Sequence, residues 1–325
     1  DLKNYKKPER VISLAYATLV TGKGRKKLQF TLQIPHLSAK RFVADSKEDL
    51  EAWVKILRYN IQKSNRFESF ARERVRCVAN YYADGKDTYA AMHKAMINAK
   101  EEIFIADWFF SPEVYLIRNG KLKPEHRLDN ILKKKAEEGV KIYILPWNET
   151  KVAMNLASAR VKEVMEKLHP NILVQCHPMF APLKWSHHQK LVIVDQDVAF
   201  VGGLDLCFGR WDDHDHDCID TNGFVFPGKD FYNPTFAPFD QLHKPDIDIV
   251  DRRRVPRMPW HDIHMRVEGS VARDVAYNFI QRWNHHREDL QTRYPYIVPK
   301  TRAVAPLWRG TVDCQVVRSV GQWHV

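Results

Sequence analysis

Several features are scarce or missing in this sequence, and each absence narrows the class of protein. The 325 residues include five cysteines, an odd number, with no Cys-x-x-Cys pair. That pattern argues against a disulfide framework or a zinc ribbon and favours a reducing, cytoplasmic setting. No run of about 18 apolar residues occurs, so we expect any membrane contact to be peripheral.

The sequence also lacks an initiator methionine, since it starts at Asp1. We therefore expect it to be a section of a longer polypeptide. An apolar content of 44% still gives a chain of this length enough material for one large domain or two smaller ones.

Positive charge exceeds negative charge. There are 51 Lys and Arg against 40 Asp and Glu, which gives a formal net charge of +11. Such an excess favours anionic partners such as phosphoinositide membranes, nucleic acid or phosphorylated substrates, although a basic surface that only keeps the protein soluble is the alternative.

The first 63 residues have the pattern of a small β-rich unit. Residues 11–43 alternate short apolar stretches with turn signals, which predicts antiparallel strands. Ser46 then begins a helix with a capping-box-like start, and apolar residues follow at helical spacing. Antiparallel strands followed by a helix with a central Trp53 resemble the C-terminal part of a pleckstrin-homology domain. An unrelated hairpin and helix is the alternative.

From about residue 80 the pattern changes to alternating strand and helix signals, which predict a layered α/β domain. We assign residues 64–325 to this domain. Buried strands are predicted at Glu102–Trp108, Val140–Leu145 and Ile172–Cys176. Helices are predicted around them, among them Tyr89–Ala99 and Val152–Leu168. Gly139 is placed to end one of these helices. Residues 226–260 are predicted to form a long loop. A last amphipathic helix then presents an apolar stripe of Val271, Val275, Phe279 and Trp283.

The most informative segment is a histidine and a lysine on one apolar strand. Because strand side chains alternate, His188 and Lys190 should point to the same face, roughly 7 Å apart. Asp195 has the opposite parity and should orient the hairpin or a neighbour. An ammonium beside the imidazole makes a poor metal site but a good phosphate site, in which the imidazole can attack phosphorus and the lysine can neutralise oxygen charge.

His188-x-Lys190-x4-Asp195, followed six residues later by Gly202-Gly203, resembles the first half-motif of the phospholipase D superfamily, the HKD motif. Other strings are similar to the eukaryotic phosphatidylcholine-specific enzymes, from about residue 64 to the end. They are Glu101–Trp108 with Ser111–Glu113, Leu168–Asn171, Gly209–Asp213, Pro256–Asp262 and Phe279–Asn284.

This resemblance implies a phospholipase D-type fold of two lobes, each of which supplies one motif to a shared cleft. It implies that His188 attacks the phosphodiester and forms a phosphohistidine, that Lys190 binds phosphate oxygens and that Asp195 supports the site. Asp220 would hold the histidine of the partner motif. Which histidine is the nucleophile and which is the general acid stays open. The chemistry requires no cofactor and no metal.

The resemblance also implies partners. They are a phosphatidylcholine membrane, phosphatidylinositol bisphosphate as an activator, small GTPases and the second HKD lobe; no nucleic acid is implied. A second His-x-Lys-x4-Asp pattern is absent from the sequence. We therefore expect these residues alone to be essentially inactive, because half of the active site is missing.

Two rival functions stay open. The chain could be a superfamily nuclease or phosphodiesterase that builds its site as a symmetric dimer, or a non-catalytic module that binds phosphoinositides. Among weaker signals, Asp212–Asp217 is predicted to be a solvated acidic loop rather than a metal site, and Lys133–Lys135 a solvated helix face. Arg252–Arg254 could bind a headgroup or line the surface, and His285-His286 is predicted to be exposed.

Overall fold

The structure is a computed structural model, and it describes residues 14, 17–22, 24, 27–34, 38–64, 70–148, 157–176, 186–289, 294–300 and 310–320. Two compact units are present. The first comprises residues 1–75, 295–298 and 313–325, and the second comprises residues 76–294 and 299–312. The sequence places a boundary after residue 63, near the end of the first helix, and that boundary stays a prediction.

In the first unit, three strands form an antiparallel sheet in the order β1 (Thr18–Thr21), β2 (Gln29–Gln33) and β3 (Lys40–Val43). Helix α1 (Lys47–Ser64) follows. The Asp49 N–H donates to Ser46 Oγ at 3.0 Å, so the predicted cap is present.

The core of this unit is small. Phe30, Leu32 and Leu57 are buried together, whereas Trp53 is 52% exposed although its spacing predicts the apolar face of the helix. The predicted strands and helix are confirmed over the described residues, and the likeness to a pleckstrin-homology domain stays a prediction. Residues 11–13 of the first predicted strand lie outside the described residues.

The large sheet carries the rest of the fold. Its strands include β4 (Arg74–Ala83), β5 (Glu102–Asp107), β6 (Lys141–Pro146), β7 (Ile172–Val174), β8 (Lys190–Val194), β9 (Val198–Gly202) and β10 (Ile263–Glu268). Seven strands run side by side in the order β4-β10-β9-β8-β5-β6-β7. The β5-β6-β7 pairs are parallel, whereas the pairs from β4 to β5 are antiparallel. A short strand, β11 (Val312–Cys314), lies near the end of the described residues.

Helices cover both faces of this sheet. They are α2 (Asp84–Ile97), α3 (Leu128–Glu137), α4 (Ser158–Leu168) and α5 (Ser270–Asp289). Ile103 and Ile105 of β5 are buried in one cluster with Met92 of α2 and Leu132 of α3. Phe104 points the other way and stacks on Phe279 of α5, with ring centroids 4.9 Å apart. The predicted layered α/β fold is confirmed, with α5 on one face and α2 and α3 on the other.

The boundaries of two predicted helices differ from the sequence pattern. Helix α2 begins at Asp84, five residues before the predicted start at Tyr89. Helix α4 begins at Ser158, and the predicted residues 152–156 lie outside the described residues. Gly139 follows α3 with φ +96°, a conformation that a glycine adopts without strain, as the sequence predicts.

A long irregular segment connects β9 to β10. Over residues 203–262, all of which the structure describes, one turn of 3₁₀-helix at Gly228–Asp230 is the only regular element. Its Phe226, Phe231 and Leu242 are buried in the main core, so the segment is packed rather than loose. The predicted loop is therefore confirmed, and it is longer than the sequence indicates. No helix in the described part of the chain is long and apolar enough to span a membrane.

Candidate active site

Strand β8 lies in the middle of the large sheet, and the motif residues His188 and Lys190 lie at its N-terminal end. All five of its residues are buried, because strands β5 and β9 flank it on both sides. His188 precedes the strand and is exposed, whereas Lys190 is its first residue and is 4% exposed. The motif thus joins an accessible imidazole to a buried ammonium.

Trp108 contacts both motif side chains. The rings of Trp108 and His188 meet edge to face with centroids 5.6 Å apart, and Lys190 Nζ lies 5.9 Å from the Trp108 centroid. Trp147 stacks behind Trp108 at 5.9 Å. His188 and Lys190 therefore share one apolar wall, in agreement with their strand parity.

Lys190 has one close ionic partner and spare hydrogen-bonding capacity. Its Nζ lies 3.2 Å from Asp205 Oδ2, and both side chains are almost fully buried. The geometry of that pair does not make a hydrogen bond, and Lys190 Nζ has no other hydrogen-bond partner among the described residues. A buried ammonium with unused donors is a strong site for an anionic oxygen.

Asp205 is held in place by the backbone that directly follows β5. Its Oδ1 accepts hydrogen bonds from the N–H groups of Trp108 (2.8 Å) and Phe109 (3.3 Å). The Tyr89 hydroxyl donates to the Asp205 carbonyl. The carboxylate that faces Lys190 is therefore fixed before any ligand binds.

Asp107, the last residue of β5, completes the charge balance around Lys190. Burial and the neighbouring Asp205 carboxylate raise the pKa of Asp107 well above its ordinary value, against the opposing effect of Lys190. The Leu206 N–H donates to Asp107 Oδ2 at 3.3 Å. The raised pKa favours the protonated form of Asp107, and Asp205 is the acid that lies within ion-pair distance of Lys190.

His188 has the electrostatic setting of a neutral nucleophile. Partial burial lowers its pKa, and the Lys190 ammonium lowers it further, while Asp205 and Asp262 oppose the shift. At neutral pH the imidazole is therefore uncharged and keeps a free nitrogen lone pair. Neutral imidazole is the form that can attack phosphorus.

A second histidine, His264 of β10, lies in the same row of the sheet. His264 pairs with Gly202 and Gly202 pairs with Lys190. A Cβ on Gly202 would lie only 2.7 Å from His264 Cγ, so the glycine makes room for the histidine ring. Burial and Lys190 lower the pKa of His264 to about 3. Leu204 N–H donates to Nδ1 at 3.4 Å, and the buried Nε2 has no hydrogen-bond partner among the described residues.

The structure places Asp195 at the opposite end of β8 from Lys190. Its carboxylate accepts hydrogen bonds from three consecutive backbone N–H groups, those of Lys100, Glu101 and Glu102, at 2.8–2.9 Å. Its φ of +53° places it in the tight turn of the β8–β9 hairpin. Asp195 therefore fixes the hairpin to the start of β5, the orienting role that its parity predicts, and it makes no described contact with His188.

Asp220 also has local partners. Its carboxylate accepts hydrogen bonds from the N–H groups of Phe224 (3.2 Å), Val225 (3.0 Å) and Phe226 (2.7 Å), and it lies 3.7 Å from Arg252. These contacts shape the long loop. Among the described residues no contact joins Asp220 to His188 or Lys190.

Asp262 is the acidic residue that faces the motif. A Cβ on Gly203 would lie only 1.9 Å from Asp262 Oδ1, so the second glycine of the motif makes room for this carboxylate. Asp262 also opposes the lowering of the His188 pKa, which places the Asp262 charge near the imidazole. Asp262 is the last residue of the Pro256–Asp262 string. The residue spacing in the sequence does not predict that it lies against Gly203.

The structure corrects several weaker predictions. Asp212 is fully buried and forms an ion pair with Arg257 at 2.6 Å, so the acidic loop is only partly solvated. Lys135 is also buried, because its stem lies on the core and its Nζ donates to the Ile97 carbonyl at 3.2 Å. His286 is 1% exposed rather than exposed, and its ring packs edge to face on His187 with centroids 5.5 Å apart.

The two remaining predictions concern cysteines and arginines. All five cysteines are free, in agreement with the absence of a disulfide framework. Arg252 is engaged with Asp248 and Asp220, whereas Arg253 and Arg254 are exposed. The triplet therefore lines the surface in part and stabilises its own loop in part.

Comparison with known proteins places this site in a family. Residues 95–324 match the family described as Phospholipase D. Phospholipase D A of Dictyostelium discoideum is 50% identical over 242 residues, which are 74% of this chain and 19% of that protein. Phospholipase D C of the same organism is 45% identical, over 79% of this chain and 16% of that protein.

A mammalian relative matches as well. Phospholipase D2 of Bos taurus is 40% identical over 296 residues, which are 80% of this chain and 31% of that protein. This chain therefore spans less than a third of the length of each of these relatives. Because the family match covers well over half of the chain and includes His188, Lys190 and Asp205, the chain belongs to the phospholipase D family.

Proposed function

We propose that this chain forms one half of a phospholipase D active site, which hydrolyses phosphatidylcholine to phosphatidic acid and choline. The observation that carries the proposal is the pairing of an exposed, neutral His188 with the buried ammonium of Lys190, which has unused donors. The pair offers a nucleophile and a phosphate-binding charge side by side.

In the proposed first step, a ring nitrogen of His188 attacks phosphorus. A P–N bond forms and the P–O bond to choline breaks, while the choline oxygen takes a proton from the histidine of the second motif. In the next step that histidine removes a proton from water, the water oxygen bonds to phosphorus and the P–N bond breaks. Phosphatidic acid leaves and His188 is restored.

Lys190 would bind the non-bridging phosphate oxygens, where charge increases in the transition state. Its ion pair with Asp205 holds the buried ammonium in place. Burial raises the pKa of Asp107, which favours its protonated form. A protonated Asp107 adds no negative charge that would repel the phosphate.

Asp262 is the better candidate than Asp220 for holding the histidine of the partner motif. Its carboxylate lies over Gly203 and near His188, whereas the Asp220 carboxylate is occupied by three backbone N–H groups. Asp195 would act through the hairpin rather than on the substrate.

The remaining partners follow from the family and are part of the proposal. The second motif would come from the rest of the longer protein, so these residues alone would have essentially no lipase activity. The protein would act at the surface of phosphatidylcholine membranes in the cytoplasm. Phosphatidylinositol bisphosphate and small GTPases would activate it, with the first unit acting as part of a pleckstrin-homology-like domain.

The test is choline release from phosphatidylcholine vesicles that contain phosphatidylinositol bisphosphate. We compare this chain alone with the chain co-expressed with the downstream half of the longer protein. Activity only in the co-expressed sample, lost in His188→Ala and kept in His214→Ala, is the expected result. His214 is a matched control because it is an exposed histidine whose one ion-pair partner among the described residues is its neighbour Asp215.

Other outcomes would contradict the proposal. Full lipase activity of this chain alone would contradict the split site. Vesicle binding without turnover in either sample would favour a lipid-binding module, and cleavage of nucleic acid by a symmetric dimer would favour a nuclease.

A further inference from the structure

A second buried charge lies outside the site that surrounds Lys190. Asp84 opens helix α2, is 4% exposed and adopts a left-handed backbone with φ +64°. Among the described residues no lysine or arginine lies within ion-pair distance of its carboxylate. Buried carboxylates in proteins are paired with cations or coordinate metal ions, so this charge needs a partner.

Two histidines from distant segments approach this carboxylate. His261 Nδ1 lies 2.7 Å from Asp84 Oδ1, and His216 Nε2 lies 3.4 Å from Asp84 Oδ2. One ligand atom from each of the three residues can be chosen so that all lie within 4.8 Å of one another. The two imidazole rings meet edge to face with centroids 5.4 Å apart.

His216 is placed between two carboxylates. Its Nε2 faces Asp84, and its buried Nδ1 lies 3.3 Å from Asp212 Oδ2 without forming a hydrogen bond. A neutral imidazole has one N–H and one lone pair, so one carboxylate would always face a lone pair. A cation between Nε2 and Asp84 removes that conflict, because Nδ1–H can then point to Asp212.

The neighbouring carboxylate does not need the same cation. Asp212 is paired with Arg257 at 2.6 Å, and both side chains are fully buried. It also accepts a hydrogen bond from the Trp260 N–H at 2.7 Å. Asp84 is therefore the carboxylate of this cluster whose charge lacks a balancing lysine or arginine.

We infer that Asp84, His216 and His261 bind a divalent transition-metal ion, for which Zn²⁺ is the best fit. Two imidazoles and one carboxylate suit Zn²⁺, whereas Ca²⁺ and Mg²⁺ prefer a shell of oxygen atoms. The side chain of His261 is 66% exposed, so the ion can enter from solvent and complete its shell with water.

Such an ion would stabilise structure and leave the proposed lipase chemistry to His188. Asp84 N–H donates to the Asp262 carbonyl at 2.8 Å, so the start of α2 already holds the segment before β10. A metal on Asp84 and His261 would tighten that connection. It would thereby fix the neighbouring Asp262, whose carboxylate lies over Gly203.

The experiment measures metal binding by the full 325-residue chain after treatment with a chelator. Zn²⁺ is titrated by calorimetry, and Co²⁺ serves as a spectroscopic probe of tetrahedral nitrogen and oxygen ligands. Wild type is expected to bind one equivalent and to unfold at a higher temperature with Zn²⁺. His261→Ala should bind on the order of 100-fold more weakly, whereas the exposed His214→Ala of the same acidic loop should bind as wild type does.

A second variant keeps the experiment decisive in case His261→Ala does not fold. Asn tolerates the left-handed backbone, so Asp84→Asn should fold, and circular dichroism checks that it does. The same variant should lose tight Zn²⁺ binding. Absence of stoichiometric Zn²⁺ binding by wild type would overturn the inference and leave a hydrogen-bonded Asp–His network. Equal Zn²⁺ affinity in wild type, His261→Ala and Asp84→Asn would overturn it too, because the ion would then lie elsewhere.

Discussion

Two buried charge clusters in the second unit balance their charges in different ways. At Lys190 the protein buries an ammonium beside two acids, Asp205 and Asp107, and leaves donors of the ammonium unused. At Asp84 it buries a carboxylate beside two histidines and provides no lysine or arginine among the described residues. The first cluster is therefore suited to bind an anion, and the second is suited to bind a cation.

The largest expected effect concerns the anion-binding cluster. Replacing Lys190 with Met keeps its length and removes the charge that would neutralise the phosphate oxygens. In the co-expressed two-half enzyme, kcat for choline release should fall on the order of 10³-fold. Retention of more than a tenth of the activity would show that Lys190 does not contact the phosphate.

The same substitution tests the buried ion pair. Lys190→Met leaves the Asp205 carboxylate buried without its cation, so the free energy of unfolding should fall by about 3–5 kcal/mol. Urea unfolding of the chain measures this change. Adding Asp205→Asn should recover a large part of the loss, and a double variant as unstable as Lys190→Met would contradict the pairing.

His264 gives a smaller effect that depends on pH. Its pKa is about 3 in the folded protein, against about 6.5 in the unfolded chain, so the unfolded state binds the extra proton as pH falls below 6.5. Stability should therefore decrease by about 2 kcal/mol between pH 7 and pH 5 because of this residue. In His264→Gln, urea unfolding at the two pH values should show a correspondingly smaller decrease.

A substitution at Asp195 tests whether this residue stabilises the fold or takes part in catalysis. Asp195→Asn keeps the left-handed turn but weakens three hydrogen bonds from backbone N–H groups, so it should lower the free energy of unfolding by about 1–2 kcal/mol. The kcat for choline release should stay near the wild-type value at low temperature. A selective loss of kcat without a loss of stability would give Asp195 a direct part in the reaction.

The smallest effect is on the proton affinity of His188. Burial and Lys190 both lower its pKa, so in wild type the ring should titrate below the ordinary value of about 6.5. Removing the like charge in Lys190→Met should raise that pKa. Titration of the His188 ring by NMR measures both values, and an unchanged pKa would place Lys190 too far away to act on His188.

The architecture follows from short-range patterns. Alternating strand and helix signals predict the layered sheet, and strand parity places His188 and Lys190 on one side and Asp195 at the turn. The prediction of the layered sheet is confirmed, because burial imposes periods of 2 and 3.6 residues on strands and helices.

The supporting residues depend on contacts between distant segments, which periodicity does not encode. Asp205 follows two glycines and meets Lys190 only because β8 and β9 form a hairpin. Asp262 and His264 lie some 70 residues from His188 in the sequence, and the pairing of β10 with β9 brings them to the two glycines of the motif. Asp84 and His216 likewise meet only in the folded chain, where a composition-based interpretation of the acidic loop expects only solvent.

The central claim is that His188 is the nucleophile. The direct test is mass spectrometry of the co-expressed enzyme, quenched during turnover of phosphatidylcholine under alkaline conditions that preserve phosphoramidate bonds. A phosphatidyl adduct on the peptide that contains His188, lost in His188→Ala, is the predicted result. An adduct confined to a histidine of the downstream half, with His188 unmodified during turnover, would contradict it.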